Sequence, residues 1–449
     1  MEPCTKSNIT MYELSKQDYI NDFTKNNSIC DKLITRTFPS SIINTRVNTV
    51  IETETDTDSD TDSNTNNHEY TLMYYNKSVM DTTDYDSFGL ARSLIFDSNK
   101  HVCCFSPPKA IDFHAFTEKY PKDDMIVLEE MVEGTMVNLF WDPRNKVWEF
   151  STRRNIGARN GFMVPGKEED NRNEKNTSKQ QKTFRDMFID ATQYSNFDFL
   201  QLNRGYCYSF VLQHPANRIV NKINTPALYL VAMYEITKDM NVISHDLSIV
   251  KNDSEWKSTG VKFPEIYAYP WDSYEEPKTW FGGEKTPIHM VGVMIHNRNN
   301  GMRCKIRNPN YERVRKMRSN QSNIRFNYLL LRQSNQVAEY LNYYPEDNAG
   351  FRSMQKSIHE FTAELYKQYI SCFIKKEKPL IEFSSYFRTH MFHLHRKYLD
   401  DLKPNDLVIN KGVVIQYVNN LEPKLVMHSL RYVVNADNTN NEPSVEIEA

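Results

Sequence analysis

Apolar and polar positions alternate in short runs through the middle of the chain and switch to a helical period towards its C-terminal end. Met136–Phe140 and Val147–Phe150 are two such runs, flanking a turn built on Asp142, Pro143 and Asn145. That pattern predicts a β-hairpin. The same reading places strands at Tyr70–Tyr75, Arg92–Phe96, Val102–Phe105, Met125–Leu128, Tyr206–Leu212, Leu228–Glu235 and His289–Ile295. One helix is expected among them, Phe184–Tyr194, with Phe184, Met187, Phe188 and Ala191 on one face. The charged segment Gly166–Lys182 before it reads as a surface loop.

From about residue 320 onward the period is 3.6. Met354, Ile358, Phe361, Leu365 and Phe373 keep helical spacing, and Phe383, Phe387, Met391 and Leu394 do so again. Val413–Leu421 and Leu425–Val433 are two further helical stretches. The chain therefore divides into four expected parts: 1–68, a disordered acidic segment; 69–318, a strand-rich domain; 319–435, a helical domain; and 436–449, a disordered tail. The fold class is α+β.

Composition narrows this picture. Of 449 residues, 39% are hydrophobic and 25% charged, which suits a globular protein with a large core. No run approaches the ~18 apolar residues of a membrane helix. The N-terminus lacks a signal-peptide core. These features predict an intracellular protein without a membrane partner. Seven cysteines, an odd number with no C-x-x-C pair, read as reduced thiols rather than a zinc site.

The net charge of −3 hides local polarity. Glu52, Glu54, Asp56, Asp58, Asp60 and Asp62 alternate with Thr and Ser, a stretch too polar to offset its own chain entropy. Arg303–Arg318 carries seven cations against Glu312, with Tyr311 among them. Basic residues interleaved with aromatics suit nucleic-acid backbone contact and base stacking, and a solvated interdomain helix is the plainer alternative. His390, His393 and His395 cluster in a predicted helix; a solvated basic face is expected there rather than a metal site.

Several short segments carry a resemblance. Met131-Val132-Glu133-Gly134-Thr135 opens the hairpin, and the basic segment Ser151–Gly157 follows it. Ala91–Phe96 and Ser106–Lys109 precede it. Cys207–Val220 ends in P-x-N-R-I-V, Val291–Met294 contains a Gly, and Cys304–Tyr311 holds a K-x-R before a Tyr. In this order the segments resemble motifs I, III, IV and V of the phage-type RNA ligases, a branch of the covalent nucleotidyltransferases. The resemblance runs from about Gly89 to Arg315. It implies nucleotidyltransferase-like (ATP-grasp-like) antiparallel sheets with a nucleotide cleft. It also implies ATP and Mg²⁺ as cofactors if the protein is active, and RNA or nucleotide as partner.

Three departures sit inside it. The family's motif I lysine, which bonds to the α-phosphorus of ATP, corresponds to Met131, whose thioether has no proton to lose. The carboxylates of motifs III and IV correspond to Val211 and Val291, which offer a divalent cation no oxygen. The resemblance therefore implies a catalytically degenerate ligase-like protein. It keeps phosphate-binding residues: Arg92, Glu133, Gly134, Thr135, Arg153, Arg218, Lys305 and Arg307, with Asn217 as either a binder or a brace. No metal-ligating set is expected. An active, divergent ligase with a relocated lysine, Lys109 foremost, is the alternative, and a structural or scaffolding protein is a third. Relatives of this ligase type occur in phages and large DNA viruses. With a composition rich in Asn, Ile, Lys and Tyr, that suggests a viral origin and the host cytoplasm as location.

Overall fold

The computed structural model describes residues 10–39, 69–161, 182–319 and 323–430. It divides into two compact units, Met1–Arg313 and Val314–Ala449. The division falls inside the helix Pro309–Arg318, not after residue 318.

The first unit is α+β, built on three antiparallel sheets. The largest has seven strands in the order β1 (Thr10–Glu13), β12 (Asn241–Ser244), β11 (Ala227–Ile236), β10 (Tyr206–Gln213), β7 (Thr135–Asp142), β8 (Val147–Thr152) and β9 (Asn155–Ile156). A four-stranded sheet runs β13 (Ile266–Tyr267), β6 (Ile126–Glu130), β14 (Gly292–Asn297), β15 (Arg303–Arg307). The third runs β2 (Leu33–Pro39), β3 (Glu69–Tyr75), β4 (Leu94–Phe96), β5 (Val102–Phe105).

Residues 10–39 correct an expectation. They were read as part of a disordered segment, yet they supply β1, the helix Asp18–Asn26 and β2. Leu14, Ile20, Phe23 and Leu33 are buried and join the core of the third sheet. A polar, Asn-rich stretch folds here because a few apolar residues fill gaps in a core made elsewhere, a tertiary effect with no local period. The acidic repeat at 52–62, most of the segment 166–182 and the tail beyond 430 lie outside the described residues.

Local chemistry explains the central hairpin. Asp142 accepts from the backbone N–H of Arg144 (2.9 Å) and Asn145 (3.2 Å), closing the β7–β8 turn through its side chain. Alternation along β7 then sends Val137 and Leu139 to one face of the large sheet. The helix Phe184–Tyr194 covers that face with Phe184, Met187, Phe188 and Ala191, and a Thr183–Asp186 capping box starts it. Each aromatic ring fully buried there contributes roughly 1.5–3 kcal/mol. The opposite face packs on the third sheet through Phe140, Cys207, Ala232 and Tyr234.

The sheet β13-β6-β14-β15 also has two unlike faces. Leu128, Val293, Ile295, Cys304 and Ile306 form its rear core with Phe116 and Phe281. The other face is largely polar. Among the described residues no helix is long and apolar enough to cross a membrane.

The second unit is helical. Its longest helix, Asn348–Tyr369, buries Met354, Ile358, Phe361 and Leu365, and Ser385–Lys397 buries Phe387, His390, Met391 and Leu394. His390 is not on a solvated face: it lies in the core, while His393 is exposed. The ring of His395 stacks on Phe373 at 3.9 Å.

Candidate anion-binding cleft

Strand register lays out the polar face of the four-stranded sheet in rows. Val127, His296 and Arg303 share one row, Glu129, Met294 and Lys305 the next, and Gly292 and Arg307 a third. Rows two residues apart are about 7 Å apart. The loop 131–134 leaves the end of β6 and enters β7 of the large sheet, so this loop joins the two sheets.

That loop is held tightly. Gly134 has φ 152°, a conformation that favours glycine, and a Cβ there would meet Val211 Cγ1 at 2.6 Å and the Leu212 carbonyl oxygen at 2.5 Å. Gly292, φ 140°, would place a Cβ 2.1 Å from the Ile306 carbonyl oxygen. Gln213 Nε2 donates to the Glu133 carbonyl at 2.9 Å, and Asn217 Nδ2 donates to Thr135 Oγ1 at 2.9 Å. Asn217 thus braces the loop.

Glu133 does not face a ligand. Its carboxylate is buried and accepts from the N–H of Val220 (3.1 Å), the N–H of Asn221 (3.1 Å), Asn221 Nδ2 (2.9 Å) and the Tyr311 side chain. Burial raises its pKa, and those donors pull it back. The residue clamps three segments together: motif I, the 220–221 loop and the start of the helix Pro309–Arg318. Arg218 Nε donates to the Val220 carbonyl at 3.1 Å, close to the same clamp.

The other cations converge. Arg92 comes from the turn before β4, Lys109 from the segment after β5, Arg153 from the β8–β9 turn, and Lys305 and Arg307 from β15. Burial lowers the Lys305 pKa to about 7, and Arg307, Lys109 and Arg92 add to the shift by charge repulsion. Burial and then Arg303 hold Arg92 down to about 10. Lys109 is lowered by burial, then by Arg92 and Arg153. Such mutual effects require a dense basic patch.

Partners differ within the patch. Arg303 donates to the Pro108 carbonyl through Nε at 2.9 Å, which ties the 106–112 segment to β15. Arg307 pairs with Glu312. Lys109 Nζ donates to the Ala110 carbonyl at 2.8 Å and sits 4.1 Å from the centre of the Tyr85 ring. Arg153 stacks its guanidinium on Tyr75 at 4.2 Å, but its Nε and Nη2 are buried without a hydrogen bond. Lys305 has no hydrogen-bond or ion-pair partner among the described residues.

Next to this patch lies a cavity of about 130 Å³, lined from both sheets. Glu129, His296 and Arg303 line it from the four-stranded sheet, and Val231, Ala232 and Tyr234 from β11. A void near 150 Å³ is known to admit a single six-membered ring. His296 Nε2 lies 3.5 Å from Glu129 Oε1, and it is buried without a hydrogen bond. Burial pushes Glu129 up to about 7 and His296 down to about 3, with Arg303 the first opposing or reinforcing charge in each case. His245 Nε2, also on the wall, is buried and unbonded as well.

Met131, Val211 and Val291 stand where the resemblance would put a nucleophile and two metal-binding carboxylates. Val211 and Val291 are 7% and 8% exposed. Val211 packs on Gly134, and the Val291 carbonyl accepts from the Asn308 N–H at 3.1 Å. Among the described residues no group of three or more His, Cys, Asp or Glu side chains converges to hold a metal ion. Val211 and Val291 offer a Mg²⁺ ion no side-chain oxygen at their two positions.

Glu129 and His296 were not singled out in the sequence, and Arg303 was read only as part of the basic stretch Arg303–Arg318. Their signal was available: 127, 129 and 131 alternate onto one face, as do 303, 305 and 307, once β15 is read as a strand. The segment Arg303–Arg318, for which a solvated interdomain helix was the alternative reading, is a strand through Arg307 and a helix from Pro309.

The fold and site define a cleft between antiparallel sheets, basic at one end and recessed at the other. No family model matches the chain. It is 30% identical over 111 residues to an RNA ligase of Rhodothermus phage RM378. That stretch is 24% of this chain and 23% of the phage protein, so the chain matches less than a quarter of the relative's length. Over that stretch the protein is RNA-ligase-like.

Proposed function

We propose that this protein is a catalytically degenerate member of the phage-type RNA ligase group, with a nucleotidyltransferase-like fold, that binds nucleotide or RNA phosphates in the cleft. The observation that carries the reading is the basic patch at its mouth. Lys305 and the Arg153 Nε and Nη2 groups are recessed and unbonded, and Arg303, on the same strand as Lys305, lines a ring-sized cavity. Unpaired buried donors are costly unless a ligand uses them. Phosphate oxygens would accept from them, and the cavity would take one base.

Glu133 and Asn217 act in this reading as braces, and Gly134 and Thr135 shape the loop. Arg92, Arg153, Lys305 and Arg307 are the phosphate contacts. Incubation with radiolabelled ATP and Mg²⁺ tests the degeneracy: no covalent, acid-labile AMP adduct is expected.

A second reading has one observation behind it. Lys305 is a half-buried amine with its pKa lowered to about 7 and no partner among the described residues, whereas Lys109 is engaged with the Ala110 carbonyl and the Tyr85 ring. If an adduct forms, Lys305 replaces Lys109 as the relocated nucleophile. Its loss in Lys305→Gln and survival in Lys109→Ala would establish that alternative.

A further inference from the structure

The cleft has too many positive charges for a site that recruits Mg²⁺. Arg92, Lys109, Arg153, Arg303, Lys305 and Arg307 crowd one end of it, and among the described residues only Arg307 has an ion-pair partner, Glu312. Two of the carboxylates nearest the 131–134 loop, Glu133 and Glu130, are committed elsewhere. Glu133 has its oxygens filled by Val220, Asn221 and Tyr311. Glu130 Oε2 accepts from the Glu265 N–H at 3.2 Å. Glu129 lies in the cavity beside His296.

A phosphate-binding site must neutralise its ligand somehow. Sites that use Mg²⁺ hold it through one or two carboxylates and the phosphates themselves. Here the two positions that would supply those oxygens are buried valines, one of them wedged against Gly134. The charge has moved from an ion to the protein. Six side-chain cations at close range repel one another, and each lowers its neighbours' affinity for protons. An approaching anion relieves that repulsion, and a divalent cation adds to it.

We propose that the cleft takes a terminal phosphate group as the free anion, with no divalent metal, and that Mg²⁺ opposes binding instead of enabling it. The inference rests on the reading of the cleft as a phosphate site. It goes further by assigning the neutralising charge to Arg92, Arg153, Lys305 and Arg307. Mg²⁺ in solution coordinates di- and triphosphates and offers the cleft a less negative ligand, so metal and protein compete for the same oxygens.

Two ligands share this chemistry, a nucleoside triphosphate and the 5′-phosphate of an RNA. Titration calorimetry on the full-length protein separates them, with ATP in one arm and a short single-stranded RNA in the other. The RNA is used with a 5′-phosphate and with a 5′-hydroxyl. Each arm is run in EDTA and in MgCl₂ at matched ionic strength. The expected result is binding in EDTA for at least one phosphorylated ligand, several-fold weaker in MgCl₂. Loss of about tenfold in Lys305→Gln and in Arg153→Gln is expected, with unchanged melting curves as the check on folding. Equal or tighter binding in MgCl₂ overturns the inference and leaves the phosphate reading standing. No binding under either condition overturns both. Equal affinity for the 5′-phosphate and 5′-hydroxyl RNA, without ATP binding, would also remove the inference.

Discussion

Two polar centres in this protein look alike in composition and differ in bookkeeping. In the helical unit, His390 is 2% exposed and fully bonded: Nδ1 lies 2.9 Å from Tyr417 Oη, and Nε2 lies 2.8 Å from Ser429 Oγ. Ser429 in turn donates to the Leu425 carbonyl at 2.8 Å. Burial holds the imidazole pKa at about 4, so the ring is neutral and each nitrogen has a role. The order Ser–His–Tyr resembles a nucleophile relay, but Ser429 is wholly buried and its hydrogen is committed. In the cleft, by contrast, Arg153, His245 and His296 keep buried nitrogens with no bond at all. A satisfied centre holds a fold together, and under the proposed function the unsatisfied nitrogens of the cleft are the ones a ligand would use.

That comparison can be broken most sharply at Glu133, a satisfied centre inside the cleft. Glu133→Ala strands at least three donors and should cost about 3 kcal/mol of stability in urea unfolding. A loss well below 1 kcal/mol would mean the carboxylate is free for ligand after all. His390→Ala should cost about 2 kcal/mol by the same measurement, through the loss of two buried bonds.

Unsatisfied groups should behave in the opposite way. Lys305→Gln should leave the melting temperature unchanged or raised, while affinity for a phosphorylated ligand falls about tenfold, or ~1.4 kcal/mol. A destabilised variant with normal affinity would place Lys305 among the structural residues.

The smallest expected effect is in pH. The folded pKa of Lys305, about 7, lies below the ordinary lysine value of 10.5. Between those values the unfolded chain holds the proton and the folded protein does not, so this group makes stability rise with pH across that window. A bound phosphate favours the protonated amine, so affinity should fall as pH rises above about 7. Calorimetry in buffers of different ionisation enthalpy would detect proton uptake on binding, and Lys305→Gln should abolish that part. A pH-independent affinity would assign the binding energy to the arginines.

Much of the cleft was legible because strand period and motif order act locally. The hairpin, the helix Phe184–Tyr194 and the strand Val102–Phe105 lie where alternation and capping put them. Arg92, Arg153, Lys305 and Arg307 were singled out from the order of the segments, and the structure brings them together from the turn before β4, the β8–β9 turn and β15. Glu133 was misread as a ligand contact, because nothing local reveals that Val220, Asn221 and Tyr311 would close on it. The segment 10–39 was misread for a related reason: its few apolar residues fill a core assembled by β3, β4 and β5.

The amino-acid sequence by itself determined the α+β class and the residue types at three positions, a thioether at Met131 and aliphatic side chains at Val211 and Val291. These are matters of residue type and period, which need no third dimension. Only the tertiary structure decided which cations stay unpaired, which carboxylate becomes a clamp, and that a ring-sized cavity opens between Glu129, His296, Arg303 and β11. Hydrogen-bond satisfaction and desolvation depend on what distant segments bring to a point, and that is set by packing.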